Sequence, residues 1–196
     1  MRSMIHPFRL LLPALLLVAP AFAADTYKID SVHSEVGFRV RHLVSRVSGR
    51  FTKFEGTIQL DEKNIQNSNV FVNIDVASIN TDNIHRDTHL RTADFFDAEK
   101  FPAITFKSTS VKEVSKGQLE VTGDFTMHGV TKRIILPITS LGGMVSPFKD
   151  FRAGFEGSLK INRQDFGVKS GGPVVGDDVD ITISIEAVKQ APVAKK

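Results

Sequence analysis

Apolar and polar residues alternate strictly from Asp178 to Glu186, which reads Asp-Val-Asp-Ile-Thr-Ile-Ser-Ile-Glu. Alternation of this kind places every second side chain on one face of a β-strand. Weaker versions of the pattern predict eight strands, near residues 34–42, 49–60, 69–77, 103–112, 118–127, 131–140, 152–162 and 178–188. Because helical periodicity is scarce, the sequence predicts an all-β domain whose sheet closes around an apolar interior.

The connections between these strands are mostly short, which favours antiparallel neighbours. The stretch from Met127 to Val130 is typical of a two-residue hairpin turn, in which Gly129 adopts a positive φ. Eight antiparallel strands can close into a barrel that holds either its own side chains or one narrow ligand. The sequence therefore predicts an extended eight-stranded antiparallel barrel.

Two segments interrupt the strand pattern. Between residues 78 and 102 the alternation stops, and Thr81-Asp82 is suited to cap a short helix over residues 84–90, within a helical segment near residues 83–100. The link over residues 166–177 is rich in glycine and proline and predicts a mobile loop.

The first 23 residues have the features of a cleaved signal peptide. Arg2 and Arg9 precede or border an apolar run, and Ala21-Phe22-Ala23 is a cleavage signal of small residues. We therefore expect residues 1–23 to be removed and residues 24–196 to form one exported domain. The chain has no cysteine, so packing and sheet hydrogen bonds must stabilise it.

The charge balance argues against nucleic-acid binding. The chain has 25 Lys and Arg against 22 Asp and Glu, and both Arg2 and Arg9 belong to the predicted signal peptide. A nucleic-acid-binding protein needs a dense basic face, which this balance does not supply. One local basic cluster, from Arg39 to Lys53, is compatible with brief contact with anionic lipid, although a solvated outer face explains it as well.

Phenylalanine dominates the aromatic residues, with 15 against one tyrosine and no tryptophan, which favours fully apolar surroundings. Periodicity does not distinguish a lined cavity from a core that the inward side chains fill. Ten inward-facing residues are the candidate pore lining: Val36, Phe38, Val40, Phe54, Ile58, Phe106, Phe125, Phe155, Ile181 and Ile183.

Several motifs carry a family resemblance. The interrupted segment reads Arg-Asp-Thr-His-Leu-Arg-Thr-Ala-Asp-Phe-Phe over residues 86–96 and Lys-Phe-Pro-Ala-Ile-Thr-Phe over residues 100–106. Residues 121–132 read Val-Thr-Gly-Asp-Phe-Thr-Met-His-Gly-Val-Thr-Lys, and further matches lie at residues 27–42 and 152–157. Together, and in this order, they resemble the YceI family of bacterial periplasmic, polyisoprenoid-binding proteins.

The resemblance implies a lipocalin-like barrel, often dimeric, whose pore holds a long isoprenoid lipid or a quinone tail. It also implies a periplasmic location, an association with stress responses and no catalytic reaction. No cofactor is expected other than this bound lipid. The open alternatives are a lipid-modifying enzyme and a ligand-free structural or stress protein; the sequence lacks the common motifs of hydrolases, phosphate-binding loops and dinucleotide sites.

Polar residues near the interruption suggest two roles. The candidate contacts for the head group of a ligand at the pore mouth are His42, His89 and Arg91. The commoner explanation for the charged residues of the motif is a polar network that fixes this segment over the barrel; its members are Arg86, Asp87, His89 and Arg91. His85 and His89 are four residues apart, but position 86 is not the glutamate of a zinc-protease motif, and no metal site is expected.

Overall fold

In the computed structural model, residues 24–191 are described, and they form one antiparallel sheet with a single short α-helix. The predicted signal peptide lies outside these residues. The strands are β1 (Asp25–Ile29), β2 (Glu35–His42), β3 (Ser45–Phe51), β4 (Phe54–Leu60), β5 (Asn69–Asp75), β6 (Ile79–Asn80), β7 (Ala103–Ser115), β8 (Gln118–Met127), β9 (Val130–Val145), β10 (Phe151–Asn162) and β11 (Val175–Lys189). The helix is α1 (Ile84–Arg91).

Eight of these strands close into a barrel. The ring runs β1, β4, β5, β7, β8, β9, β10 and β11, and the pairing of β11 with β1 closes it. Closure leaves none of the eight strands with a free edge along its whole length. The prediction of an eight-stranded antiparallel barrel with a short helix is therefore confirmed.

Strand β11 joins the ring to an additional three-stranded layer. Its C-terminal end pairs with β1 from Ala187 to Lys189, whereas Val175 to Ser184 pair with β2. Strand β3 then pairs with β2, and the short strand β6 pairs with the end of β3. The barrel wall is thus extended at one end by β2, β3 and β6.

Several predicted elements differ from the structure, and three of the differences affect the barrel wall or the helix. The predicted strand over residues 49–60 is divided between β3 and β4, because the chain bends at Thr52 and Lys53. Strand β1 belongs to the ring, but its five residues are too few for alternation to reveal it. The helix begins after Asn83, whose side chain accepts a hydrogen bond from the Arg86 amide at 3.0 Å. The helix cap is therefore Asn83 and not Thr81-Asp82, which was predicted from the sequence.

The predicted hairpin turn between β8 and β9 is present. His128 and Gly129 both have positive φ, at 51° and 75°. Gly129 is required here for a second reason: an added Cβ would lie 2.5 Å from the Phe101 ring. The turn therefore needs glycine both for its backbone conformation and for the close approach of Phe101.

The ladder between β9 and β10 is incomplete. These strands pair from Phe151 to Gly157, but the remainder of β10 pairs only with β11. Pro137, beside the last pair, has no amide hydrogen to donate. Lys132 and Asp165 form an ion pair at 3.1 Å between the start of β9 and the turn after β10, and so fasten the far end of this seam.

Among residues 24–191, no helix is long and apolar enough to cross a membrane.

Candidate functional site: an apolar cavity inside the barrel

The barrel encloses an elongated cavity of about 240 Å³. Every strand of the ring contributes inward-facing side chains to its wall, because the two-residue period of a strand sends alternate residues inward. Strands β2, β3 and β6, helix α1 and the segment that follows it complete the wall. The wall is almost wholly apolar, and its polar members are Ser68, Asn69 and Arg163.

The interior is lined rather than filled. Phe38, Val179, Ile181 and Ile183 point inward and line the cavity, yet each is only partly buried. In a filled core at ordinary packing density, such side chains would be closed off by their neighbours. Their partial burial, together with the volume of the cavity that they line, indicates a lined interior and not a filled core.

The cavity is long relative to its width. On β11 its wall runs from Val175 to Ile185. At roughly 3.3 Å per residue and a strand tilt of about 40°, this corresponds to about 25 Å along the barrel axis. A single extended hydrocarbon chain matches this shape better than a compact ring system does.

Phe38 leaves room in the cavity because it packs against a glycine. Gly49 is its cross-strand partner on β3, and an added Cβ there would lie 2.4 Å from the Phe38 ring. The Phe38 ring also contacts Phe51, with ring centroids 5.8 Å apart. Gly49 thus lets a large aromatic side chain lie against the wall.

Helix α1 and the segment after it form a lid at one end of the barrel. Leu90, Phe95 and Phe96 from this lid line the cavity, and Phe96 packs edge-on against Phe51 with ring centroids 6.2 Å apart. The family-like motif over residues 86–96 therefore supplies part of the cavity wall.

Charged residues of the same motif fasten the lid. Asp87, which is 5 % exposed, accepts hydrogen bonds from the Thr81 amide at 2.9 Å and from the Thr81 hydroxyl at 2.5 Å. Arg86 donates to the hydroxyl and the carbonyl of Thr81, both at 2.7 Å. Arg91 donates to the carbonyls of Ala77 and Ile79 at 2.8 and 2.9 Å. Asp87 thus pairs with a threonine, and the polar network has a structural role.

The loop before β11 is fastened by one arginine. Arg163 is 5 % exposed, and each of its five N–H groups donates a hydrogen bond at 2.6–3.2 Å. The acceptors are the carbonyls of Val168, Ser170, Val175 and Gly176 and the carboxylate of Asp177. The link that was predicted to be a mobile loop is therefore tied to the barrel. Arg163 lies in the cavity wall, and none of its N–H groups is left to donate to a ligand.

Most of the predicted lining residues lie together in the cavity wall. They are Val36, Phe38, Val40, Ile58, Phe106, Phe125, Phe155, Ile181 and Ile183. Phe54 does not lie in the wall; it follows the bend at Thr52 and Lys53 and packs between the two hydrophobic clusters of the interior.

The three predicted mouth residues do not contribute to the cavity wall. Arg91 donates from Nε and Nη2 to backbone carbonyls, as described above. His89 is exposed and its Nε2 lies 2.9 Å from Asp94 Oδ2, while His42 is a partly buried residue at the end of β2. Their assignment to a head group at the pore mouth stays a prediction.

Sequence reasoning missed Arg163 and the aromatic lid residues. Phe95 and Phe96 lie where the strand alternation stops, so no periodicity assigns them to the interior, and no pattern in the linear sequence marks Arg163 as buried. The hydrogen-bond partners of Arg163 lie 5 to 14 residues away along the chain. Only the folded loop brings them together.

A second polar cluster lies on the outside of the barrel. Asp30, His33 and Glu186 bring their ligand atoms within 4.8 Å of one another, a spacing that could hold a metal ion. Arg152 instead donates to both carboxylates, reaching Asp30 at 2.9 Å and also Glu186. A guanidinium therefore supplies the positive charge that a metal would bring.

The pKa values in this cluster follow from these contacts. The hydrogen bond with His33, whose Nδ1 lies 2.9 Å from Asp30, is the main reason that the Asp30 pKa lies below its ordinary value, and Arg152 lowers it further. The pKa of Asp150 is also lowered, chiefly by its hydrogen bond with Arg152. These carboxylates are held ionised and act as structural anchors of β10.

Comparisons with known proteins agree with this architecture. A family model described as the YceI-like domain matches residues 27–187. The protein YceI of Escherichia coli O157:H7 is 43 % identical over 173 residues, which cover 87 % of this chain and 90 % of that protein.

Two solved structures show the same barrel. Burkholderia cenocepacia BcnA superposes with a TM-score of 0.75 at 25 % identity, covering 81 % of this chain and 98 % of that one. A polyisoprenoid-binding domain from Saccharophagus degradans superposes with a TM-score of 0.68 at 17 % identity, covering 84 % of this chain and 98 % of that one. The latter likeness shows the fold alone.

Proposed function

This chain belongs to the YceI-like family, and from that premise we propose that it binds one long isoprenoid lipid, such as a polyprenyl lipid or a quinone tail, inside its barrel. The protein sequesters or carries this lipid and returns it chemically unchanged. We place this activity in the periplasm, on the strength of the signal peptide expected in residues 1–23.

The observation that carries the proposal is the composition of the cavity wall. Its three polar members are all paired within the protein: Ser68 Oγ accepts from the Asp61 amide at 3.0 Å, Asn69 donates to Gln59 at 2.6 Å, and Arg163 is fully engaged. A wall that is almost wholly apolar suits a hydrocarbon, because a polar ligand would lose its hydrogen bonds with water on entry. It also offers no group to activate a bond, which supports binding over catalysis.

The free energy of binding comes from desolvation. A chain that fills about 25 Å has roughly 19 carbon–carbon bonds, taking about 1.3 Å of axial rise per bond. At about 0.8 kcal/mol per buried CH₂ the gross gain is large. Ordering the chain reduces the net affinity well below this sum. The polar head of such a lipid remains outside the apolar part of the cavity, since burial there would cost it its hydrogen bonds with water.

The Saccharophagus degradans domain, which is described as polyisoprenoid-binding, and the family match support an isoprenoid as the occupant over an unbranched acyl chain. The elongated shape and the several phenylalanines of the wall, including Phe106, Phe125 and Phe155, are compatible with the methyl branches of an isoprenoid.

Mass spectrometry of an organic extract tests the proposal. The protein is purified from its native host beside two variants, Ile181→Trp, which obstructs the cavity, and Thr182→Trp, whose side chain lies on the outer face of β11. We expect a stoichiometric isoprenoid from the parent and from Thr182→Trp, and a strongly reduced amount from Ile181→Trp. Empty extracts from the parent, or an equal amount from all three proteins, would contradict the proposal.

A further inference from the structure

The turn between β2 and β3 presents two apolar side chains to solvent. His42 pairs with Ser45, so Leu43 and Val44 are the two residues of the turn itself. Leu43 is 56 % exposed and Val44 is fully exposed. Neither side chain belongs to either hydrophobic cluster of the interior. Packing within the protein therefore does not explain why these positions are apolar.

The backbone of this turn is also strained. Leu43 has φ of 50°, in the left-handed region that residues other than glycine and asparagine rarely adopt. Glycine is the usual residue at the first position of a two-residue turn with this conformation. A branched apolar residue is held here in place of one that would relieve the strain.

Two arginines flank the apolar tip. Arg41 and Arg46 lie directly opposite each other on β2 and β3, a pairing of like charges that disfavours the hairpin. Arg46 is paired with Asp180 at 2.6 Å, whereas Arg41 is exposed and makes no side-chain hydrogen bond or ion pair with residues 24–191. The nearby acidic residues of β11 are engaged in turn, since Lys160 lies 3.7 Å from both Asp178 and Asp180.

The tip lies at the rim of the cavity. The Leu43 amide donates to the Val174 carbonyl at 2.8 Å, and the next residue, Val175, lines the cavity. Val40, three residues before the tip, also lines it. Val174 is itself 38 % exposed. An apolar surface thus continues from the turn to the cavity wall.

We propose that the β2–β3 turn is a membrane-docking element that inserts Leu43 and Val44 into the interface of an anionic phospholipid bilayer. Arg41 and Arg46 then face the lipid phosphates, which relieves their mutual repulsion. Apolar side chains bordered by arginines are typical of segments that bind such an interface. The element places the cavity rim at the bilayer, where an apolar ligand enters. This inference rests on the proposed function, because only a lipid-carrying barrel needs such an approach.

Co-sedimentation with vesicles tests the proposal. The parent protein is mixed with vesicles of phosphatidylcholine alone or of equal parts phosphatidylcholine and phosphatidylglycerol, at low and at high salt. We expect binding to the anionic vesicles that weakens at high salt, because salt screens the arginines. Replacing both apolar residues, Leu43→Ser with Val44→Ser, should weaken binding by about tenfold. Arg41→Gln with Arg46→Gln should weaken it at low salt by about thirtyfold.

The opposite end of the barrel offers a matched control. The β9–β10 hairpin exposes Met144 and Phe148 far from the β2–β3 turn. Arg152, just after this hairpin, pairs with Val188, whereas His42, just before the β2–β3 turn, pairs with Val175 at the other end of β11. Met144→Ser with Phe148→Ser should leave vesicle binding unchanged. Ile181→Trp should likewise bind vesicles as the parent does while losing its cavity ligand, which separates this inference from the proposed function.

Three results would overturn the proposal. The first is a parent protein that does not sediment with anionic vesicles, and the second is equal binding by the parent and the Leu43→Ser/Val44→Ser variant. The third comes from analytical ultracentrifugation without vesicles: a parent dimer that this variant converts to monomer would assign the turn to a second copy of the chain.

Discussion

The length of the cavity predicts how affinity depends on the length of a ligand. Ile181 lies near the middle of the wall, between Phe38 on β2 and Leu159 on β10. Replacing it by tryptophan obstructs the cavity at this level. The six residue-to-residue steps from Val175 to Ile181 then leave an open segment of about 15 Å in place of about 25 Å. The longest chain accommodated should fall from roughly 19 to roughly 12 carbon–carbon bonds.

A homologous series of prenyl or alkyl alcohols measures this difference. Each methylene that enters the cavity should strengthen binding by about fourfold, which corresponds to about 0.8 kcal/mol. Affinity should then stop rising when the chain exceeds the cavity, at a shorter chain for Ile181→Trp than for the parent. Competition against a fluorescent alkyl probe gives the affinities, and circular dichroism melting checks that each variant is folded.

Thr182→Trp is the matched control for this series, because it adds the same side chain on the outer face of the same strand. It should reproduce the dependence of the parent. The reasoning would be refuted if affinity did not depend on chain length, or if Ile181→Trp and the parent reached their limit at the same chain. Either result would mean that the ligand does not lie along the cavity axis.

The remaining predictions concern the polar groups around the barrel. Arg152→Met should lower the free energy of unfolding at pH 7. Urea denaturation over a pH series should show that the difference in this free energy between parent and variant shrinks as the pH falls below about 4. The reason is that a carboxyl with a lowered pKa, such as Asp30, stabilises the fold only while it is ionised. Arg91→Met should cost about 1–3 kcal/mol of stability, since two carbonyl acceptors lose a charged donor. Chain-length titration should show unchanged affinity, and a loss of affinity without a loss of stability would instead support the head-group role. Arg163→Met should release the loop over residues 168–176, which limited proteolysis would detect as cleavage there; equal resistance to protease in variant and parent would show that other contacts hold the loop.

The sequence predicted the faces of the strands well, for a physical reason. A strand has a period of two, so the inward position of Ile181 fixed that of Ile183 without knowledge of the neighbouring strands. The rule also placed Phe54 on the inward face of β4, but it did not show that Phe54 packs among the interior clusters and does not line the cavity. Alternation predicts a face, but it does not predict which inward side chains border the cavity.

Contacts of long polar side chains could not be predicted in this way. Arg91 lies in the family-like motif, but its acceptors are backbone carbonyls of the segment before the helix, 12 and 14 residues away. Arg163 is similar, since its burial depends on a loop that folds back over it. The distinction between a lined cavity and a filled core also required coordinates, because it depends on the volume left among side chains from every strand.

The closure of the ring also has a consequence for folding. Strand β1 stands at the start of the described chain and β11 at its end, and the two are joined by contacts such as that between Asp25 and Lys189, which are 164 residues apart. Proteins dominated by such distant contacts fold slowly. No N-terminal part of the chain can complete the barrel, because β10, β2 and β1 all require β11 as a partner. A nascent chain therefore keeps its apolar interior open until the last strand arrives.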